Sequence, residues 1–168
     1  MLSHFLKLAG KPCLGVLFVL AWPAWAQGER EPIPEADLRT LLPFSQNDTL
    51  KYAHCEVKSY PTCTYVWGVP ASDDDARVKL GAKPEGDRLT TIFAQAHGLN
   101  DFDRVLATYS DADPVEGLGI KAAWSAKRDQ LSFMMADYLI IHVNIDARGV
   151  ADPKAVALQT AMFLSSAN

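Results

Sequence analysis

The sequence lacks the features by which most functional classes are identified. Its 168 residues include only three cysteines and four histidines. Their spacing matches neither a zinc site nor a redox C-x-x-C pair, and no Gly-rich nucleotide loop leads into a helical pattern. Apart from one short apolar run near the N-terminus, nothing approaches the length that spans a bilayer. We therefore expect no metal site and no cofactor.

Basic charge is also scarce. Sixteen Lys and Arg residues face twenty Asp and Glu residues, which gives a formal net charge of −4. Nucleic acids and anionic membrane surfaces attract proteins that present a continuous basic stripe, and here the basic residues are scattered among carboxylates. The sequence thus excludes both as partners. It leaves an unknown protein or small ligand as the partner, and it leaves the oligomeric state open.

The first 26 residues predict an export signal. Two lysines precede the apolar run Cys13–Leu20, and the small residues Ala24 and Ala26 suit signal peptidase. The run is too short for an anchoring helix. We therefore expect cleavage after Ala26, a flexible lead-in over residues 27–34 and a single domain over residues 35–168. The mature protein would be periplasmic or secreted, with no membrane contact after cleavage.

Signal cleavage leaves two cysteines, Cys55 and Cys63, which in an exported chain predict a disulfide. Apolar residues between Leu50 and Gly68 alternate with a period of two, as in a strand exposed on one face. If Cys55 lies opposite Cys63, then Ala53 lies opposite Tyr65, and the apolar residues share one face of a hairpin. The disulfide and the hydrophobic pattern therefore predict the same register.

The sequence predicts four helices. Apolar residues at i, i+3, i+4 and i+7 favour one helix over Asp87–Gly98 and another over Asp101–Tyr109. A short helix is expected after Pro34, and a closing helix after Asp152. Turn-forming residues over 70–86 predict a surface loop.

A three-stranded meander is predicted over Ile120–Ile145. A two-residue turn at Lys127–Arg128 would set Trp124 opposite Leu131, and a three-residue turn at Ala136–Tyr138 would keep the third strand in phase. The expected fold class is therefore α+β. An antiparallel sheet, made of the disulfide-linked hairpin and the meander, would carry helices packed on one face.

Short motifs carry a resemblance to known domains. They are Cys63-Thr64-Tyr65, Gly117-Leu118-Gly119 followed by Ala122 and Trp124, and an alanine-rich final helix. On these motifs, the region Leu38–Leu164 resembles small exported bacterial domains of uncharacterised function, akin to the extracellular sensor domain of a mycobacterial serine/threonine kinase. The resemblance implies a fold more than an activity, because this chain has no kinase, no transmembrane anchor and a single possible disulfide.

One pair of residues raises a catalytic alternative. In the predicted register Ser132 lies opposite His142, with Asn144 diagonal to it. A serine nucleophile beside an imidazole base would suit a small periplasmic hydrolase. No G-x-S-x-G elbow surrounds the serine, however, and no orienting carboxylate is evident. We therefore favour a hydrogen-bonded cross-strand pair and an exported, non-catalytic binding or interaction module.

The sheet face opposite the helices is the candidate binding face. Its residues combine apolar and polar side chains, which is typical of an interaction site. The alternative is that the lead-in segment or the first helix folds over this face and buries it. The candidate binding residues are Met134, Tyr138, Ile140, His142 and Asn144.

Overall fold

The computed structural model describes residues 31–57, 59–69, 80 and 85–166. The predicted signal peptide, residues 27–30 of the lead-in and nearly all of the 70–86 loop lie outside the described residues. Ten elements follow in chain order: α1 (Glu35–Leu41), β1 (Thr49–Val57), β2 (Pro61–Gly68), β3 (Asp87–Gln95), α2 (Leu99–Leu106), β4 (Ala112–Val115), β5 (Lys121–Ser125), β6 (Gln130–Met134), β7 (Leu139–Asp146) and α3 (Pro153–Ser166).

All seven strands form one open antiparallel sheet in the order β1-β2-β3-β7-β6-β5-β4. The last strand of the chain, β7, therefore lies in the middle, between β3 and β6. This position joins the disulfide hairpin to the meander. The predicted α+β class and antiparallel sheet are confirmed.

The hairpin of β1 and β2 has the predicted register. Cys55 lies opposite Cys63 and the two form a disulfide, while Ala53 lies opposite Tyr65. A bulge between Leu50 and Tyr52 shifts the pairing near the start of β1. The buried phenol of Tyr65 accepts a hydrogen bond from the backbone of Ile33 at 2.9 Å, and its burial raises the pKa of Tyr65. This bond holds the segment before α1 against the core.

The meander also keeps its predicted register. Trp124 lies opposite Leu131, as predicted. The last pair of the ladder is Ser125 with Gln130, so the turn contains the four residues 126–129 instead of the predicted two. The β6–β7 turn places Phe133 opposite Ile141, and Tyr138 adopts a positive φ of 63° there. Because side chains alternate along a strand, the apolar residues of the three strands share one face.

Helices α1 and α3 pack on this face of the sheet, which we call the core face. Leu38 of α1 and Ala157 and Ala161 of α3 are completely buried. The small alanines let α3 lie close to β6 and β7, on which it packs. The strands contribute the remaining large core side chains, which include Tyr65, Trp67, Leu89, Leu131, Phe133, Ile141, Val143 and Ile145.

Helix α2 lies on the opposite face, which we call the second face. Phe102 is fully buried there in a separate small cluster with Ala96, Met134 and Ile140. Met134 and Ile140 alternate with the core-face residues Phe133 and Ile141, so they point to the other side of the sheet. The helices therefore divide between the two faces, with the C-terminal helix on the core face.

The helix predicted over Asp87–Gly98 is wrong, because this segment forms strand β3. The strand lies between β2 and β7. Its core-face residues are buried and its second-face residues are partly exposed, but apolar residues occur on both faces. Leu89 and Phe93 point to the core face and Ile92 to the second face, which by coincidence gives helical spacing. Two threonines beside Ile92 add the β-branched residues that favour a strand.

Strand β4 was not predicted. The sequence Ser110–Pro114 reads as a helix break, but Ala112–Val115 pairs with β5 at the edge of the sheet. An edge strand needs hydrogen bonds on one side only, so Pro114 is tolerated there. Composition could not distinguish this short edge strand from a loop.

We predict that replacing both cysteines by alanine lowers the free energy of unfolding by about 2.5 kcal/mol. The estimate is the chain entropy lost when a loop of this length is closed. Cys55 and Cys63 are separated by eight positions. Urea unfolding of the oxidised protein and the double variant measures the difference. An unchanged unfolding free energy would show that the bond does not stabilise the fold.

A second stability prediction concerns Thr91. Its hydroxyl is buried on the core face and has no hydrogen-bond partner among the described residues. Thr91→Val keeps the shape and removes an unsatisfied polar group, so we expect a gain of about 1 kcal/mol. Thr90→Val, on the partly exposed second face, is the matched control and should be nearly neutral. A loss of stability in Thr91→Val would contradict the prediction.

Candidate functional site

Four polar side chains lie on the second face where β6 and β7 pair. Ser132 is directly opposite His142, and Gln130 is opposite Asn144. Alternation points these four side chains away from the core face, which is filled by Leu131, Phe133, Ile141 and Val143. The predicted juxtaposition of Ser132 and His142 is therefore confirmed, and so is the diagonal position of Asn144.

Short distances connect the cluster. Ser132 Oγ lies 2.8 Å from His142 Nδ1. The side-chain nitrogen of Gln130 lies 3.2 Å from Ser132 Oγ and 3.2 Å from the same imidazole nitrogen. Tyr109 completes the group, because its Oη lies 3.2 Å from Ser132 Oγ and accepts a hydrogen bond from Gln130 Nε2 at 2.5 Å. We call Tyr109, Gln130, Ser132 and His142 the polar cluster.

Tyr109 comes from residues 107–111, which connect α2 to β4 and which we call the strap. The Arg128 guanidinium lies 4.5 Å from the centre of the Tyr109 ring, a cation–π arrangement. Arg128 also donates to the backbone carbonyl of Thr108 at 3.2 Å. The tyrosine is thus held between the sheet and an arginine of the β5–β6 turn.

The far end of the strap has an ionic anchor. Asp111 accepts a hydrogen bond from the backbone N–H of Lys127 and another from the Ser125 hydroxyl, each at 2.8 Å. These two hydrogen bonds, the backbone bond most strongly, lower the pKa of Asp111. The carboxylate therefore remains charged, and the strap remains attached at this end, under mildly acidic conditions.

Electrostatics keep the imidazole neutral at pH 7. Burial lowers the pKa of His142 from 6.5 to about 4, because a charged imidazolium would lose hydration. Among the described residues no carboxylate is hydrogen-bonded to His142 to offset that loss. The neutral ring therefore uses Nδ1 as an acceptor for the Ser132 hydroxyl, and its proton is assigned to Nε2.

This geometry does not present a nucleophile to a substrate. Ser132 is completely buried, and its hydroxyl is enclosed by Tyr109, Gln130 and His142. Acyl transfer needs an accessible oxygen, an oriented base and donors for the developing oxyanion. The arrangement instead provides mutual hydrogen bonds for four side chains under the strap. Its direct effect is to hold the strap on the sheet.

The other candidate binding residues have different positions. Met134 and Ile140 lie beneath α2 and are buried, so neither is on an open surface. The covering element is α2, whereas the alternative considered from sequence was the lead-in or the first helix. Tyr138 is 43% exposed at the β6–β7 turn. The Asn144 side chain donates a hydrogen bond to the backbone carbonyl of Arg128 at 2.6 Å. This bond holds the β5–β6 turn, which contains Arg128, against β7.

Sequence reasoning missed Tyr109 as a member of the cluster. Its spacing from Phe102, Val105 and Leu106 assigned it to the apolar face of a helix, but α2 ends at Leu106. Tyr109 lies 23 positions from Ser132 along the chain. No local pattern signals a contact at that separation, because it depends on how the strap crosses the sheet.

A shallow cavity of about 330 Å³ lies between α2 and the β4–β5 edge, and no residue of the polar cluster lines it. Leu106, Pro114, Leu118 and Ile120 contribute apolar walls. Gly117 and Gly119, in the turn before β5, both have positive φ angles. A Cβ on Gly119 would lie 2.2 Å from the carbonyl oxygen of Met134, so only glycine fits.

The described part of the chain contains no group of three His, Cys, Asp or Glu residues placed to hold a metal ion. None of its helices is both long and apolar enough to cross a membrane. No family model, curated protein or solved structure matches this chain. The resemblance to exported sensor-like domains thus remains an expectation based on short motifs.

We predict that Tyr109→Phe lowers the free energy of unfolding by about 1–2 kcal/mol. The change removes one hydroxyl and leaves the buried Ser132 and the partly buried Gln130 each short of one hydrogen-bond partner. Tyr60→Phe is the matched control, because Tyr60 is 53% exposed. Urea denaturation of both variants provides the comparison. Equal effects would indicate that the Tyr109 hydroxyl contributes nothing to holding the strap.

Proposed function

We propose that this chain is an exported, non-catalytic binding or interaction module. The observation that carries the proposal is the complete burial of Ser132 within a satisfied hydrogen-bond network. A group enclosed in this way cannot reach a substrate while the strap is in place. Export is supported by the Cys55–Cys63 disulfide, which persists in oxidising compartments, and by the signal-like N-terminal sequence.

The surface that best suits a partner lies at one end of the sheet. The strand registers bring the β1–β2 turn, the start of α2, the residue before β5 and the β6–β7 turn to this same end. Each of these carries a large apolar side chain that is roughly half exposed. We call the set the apolar end: Val57, Tyr60, Leu99, Ile120 and Tyr138.

A protein is the partner that this end favours. Ile120 lines the cavity beside β4 and is 48% exposed, so apolar surface continues from the end of the sheet into a concave space. Charged residues lie next to members of the apolar end along the chain, among them Lys121 beside Ile120 and Asp137 beside Tyr138. Apolar residues with charged neighbours, next to a cavity that accepts one anchoring side chain, are typical of protein–protein interfaces.

Site-specific photocrosslinking tests this assignment. A benzophenone amino acid at position 120 should give discrete protein adducts in cells that export the chain. The same group at position 69 should not, because Val69 is exposed at the opposite end of the sheet. Leu99→Glu should weaken the adducts at position 120 without changing the melting temperature. Equal adducts from positions 69 and 120 would contradict a specific interface.

The hydrolase alternative is favoured by one observation, the 2.8 Å distance between Ser132 Oγ and His142 Nδ1. A fluorophosphonate probe distinguishes it, because such probes label activated serines. We expect no labelling of the folded protein at pH 7. Ser132→Ala is the control, and labelling that disappears in this variant would replace the binding module by a serine hydrolase.

A further inference from the structure

The strap is attached to the sheet by two chemically different contacts. Asp111 bonds to Ser125 and Lys127 at one end, and Tyr109 bonds to Ser132 and Gln130 nearer α2. The first contact uses a carboxylate whose pKa is lowered, so it persists as the pH falls. The second depends on a neutral imidazole at its base. The two ends of the strap should therefore respond differently to acid.

Protonation of His142 would remove the acceptor on which the cluster is built. The neutral ring accepts at Nδ1, where the Ser132 hydroxyl and the Gln130 amide both approach. The imidazolium carries protons on both nitrogens and only donates. The Ser132 hydroxyl would then have to accept a hydrogen bond from the protonated Nδ1 of His142. The Gln130 amide would face the same N–H group and would lose a hydrogen-bond acceptor. The hydrogen bonds to Tyr109 must rearrange as a consequence.

The surroundings offer the imidazolium little compensation. The uncharged Ile92 of β3 lies directly opposite His142, with Thr90 and Ala94 diagonal to it. From β6 it faces Gln130 and Ser132, and on β7 its same-face neighbours are Ile140 and Asn144. The strap contributes Tyr109, whose ring is contacted by the positive Arg128. The carboxylate of Asp103, on the helix that covers this face, is paired with Lys121.

We propose that the strap is an acid-sensitive latch, in which protonation of His142 breaks the polar cluster and releases Tyr109 from the sheet. The anchor at Asp111 keeps the released strap tethered. Opening exposes Ser132, which is buried in the closed structure, and further exposes Gln130 and the imidazole, which are partly buried there. The second face thereby presents more polar surface in acid than at pH 7. This inference is independent of the proposed binding function.

The direction and size of the effect follow from linkage. The pKa of His142 is about 4 with the latch closed, and an exposed imidazole has an ordinary value of 6.5. The open state therefore binds more protons at intermediate pH, so the closed state loses stability as the pH falls from 6.5 to 4. Well below pH 4, where both states are protonated, this group causes no further loss. Between pH 7 and pH 4 the opening equilibrium constant should rise about a hundredfold.

Hydrogen exchange of the full chain tests the latch. The amides of Thr108 and Tyr109 bond to the carbonyls of Val105 and Leu106, in a turn too short to persist without packing. After correction for intrinsic rates, their exchange should accelerate about a hundredfold from pH 7 to pH 4. The amides of β7 and α3 should remain protected. Unchanged exchange in the strap, or equal acceleration throughout the domain, would overturn the proposal.

Two variants assign the effect to one residue. His142→Gln cannot titrate and should remove the acid-induced acceleration, whereas His54→Gln, a change at an exposed histidine of β1, should leave it intact. If His142→Gln fails to fold, an NMR titration of the wild-type protein tests the same proposal. The ring signals of His142 and Tyr109 should shift together with a midpoint near pH 4. Separate midpoints for the two rings would overturn the latch.

Discussion

The register between β6 and β7 is the constraint on which the rest of the structure depends. Pairing Phe133 with Ile141 puts both in the core beneath α3, and the same pairing puts Ser132 beside His142 on the other face. A shift of one residue would reverse every side chain of one strand. Formation of the core and assembly of the polar cluster therefore require the same strand register. Because β7 also pairs with β3, the register extends to the disulfide hairpin.

The sequence predicted those parts of the fold in which local pattern and tertiary environment agree. In the Cys55–Cys63 hairpin and the meander most apolar residues occupy alternate positions, and a proline marks the start of the final helix. Prediction failed for β3, whose burial alternates although its residue types do not, because Thr91 is polar on the core face and Ile92 is apolar on the second face. It also failed for β4, whose four residues have no pattern apart from their partner strand.

The candidate site was predictable to the same extent. Alternation and turn length placed Ser132 opposite His142, because both follow from spacing along adjacent strands. The burial of the pair could not be predicted, since it depends on Tyr109 and on the path of the strap. Buried polar groups that satisfy one another contribute little net stability, but they are costly when one member is changed. Such a cluster specifies where the strap lies more than it strengthens the fold.

The disulfide has a consequence for the edge of the sheet. It joins β1, the outermost strand on its side, to β2, which carries the buried side chains of Tyr65, Val66 and Trp67. If β1 separated, the backbone of an apolar strand would become free to pair with other chains, a common route to aggregation and strand exchange. A covalent bond near the turn prevents complete separation of the two strands. The bond thus protects this edge of the sheet from self-assembly.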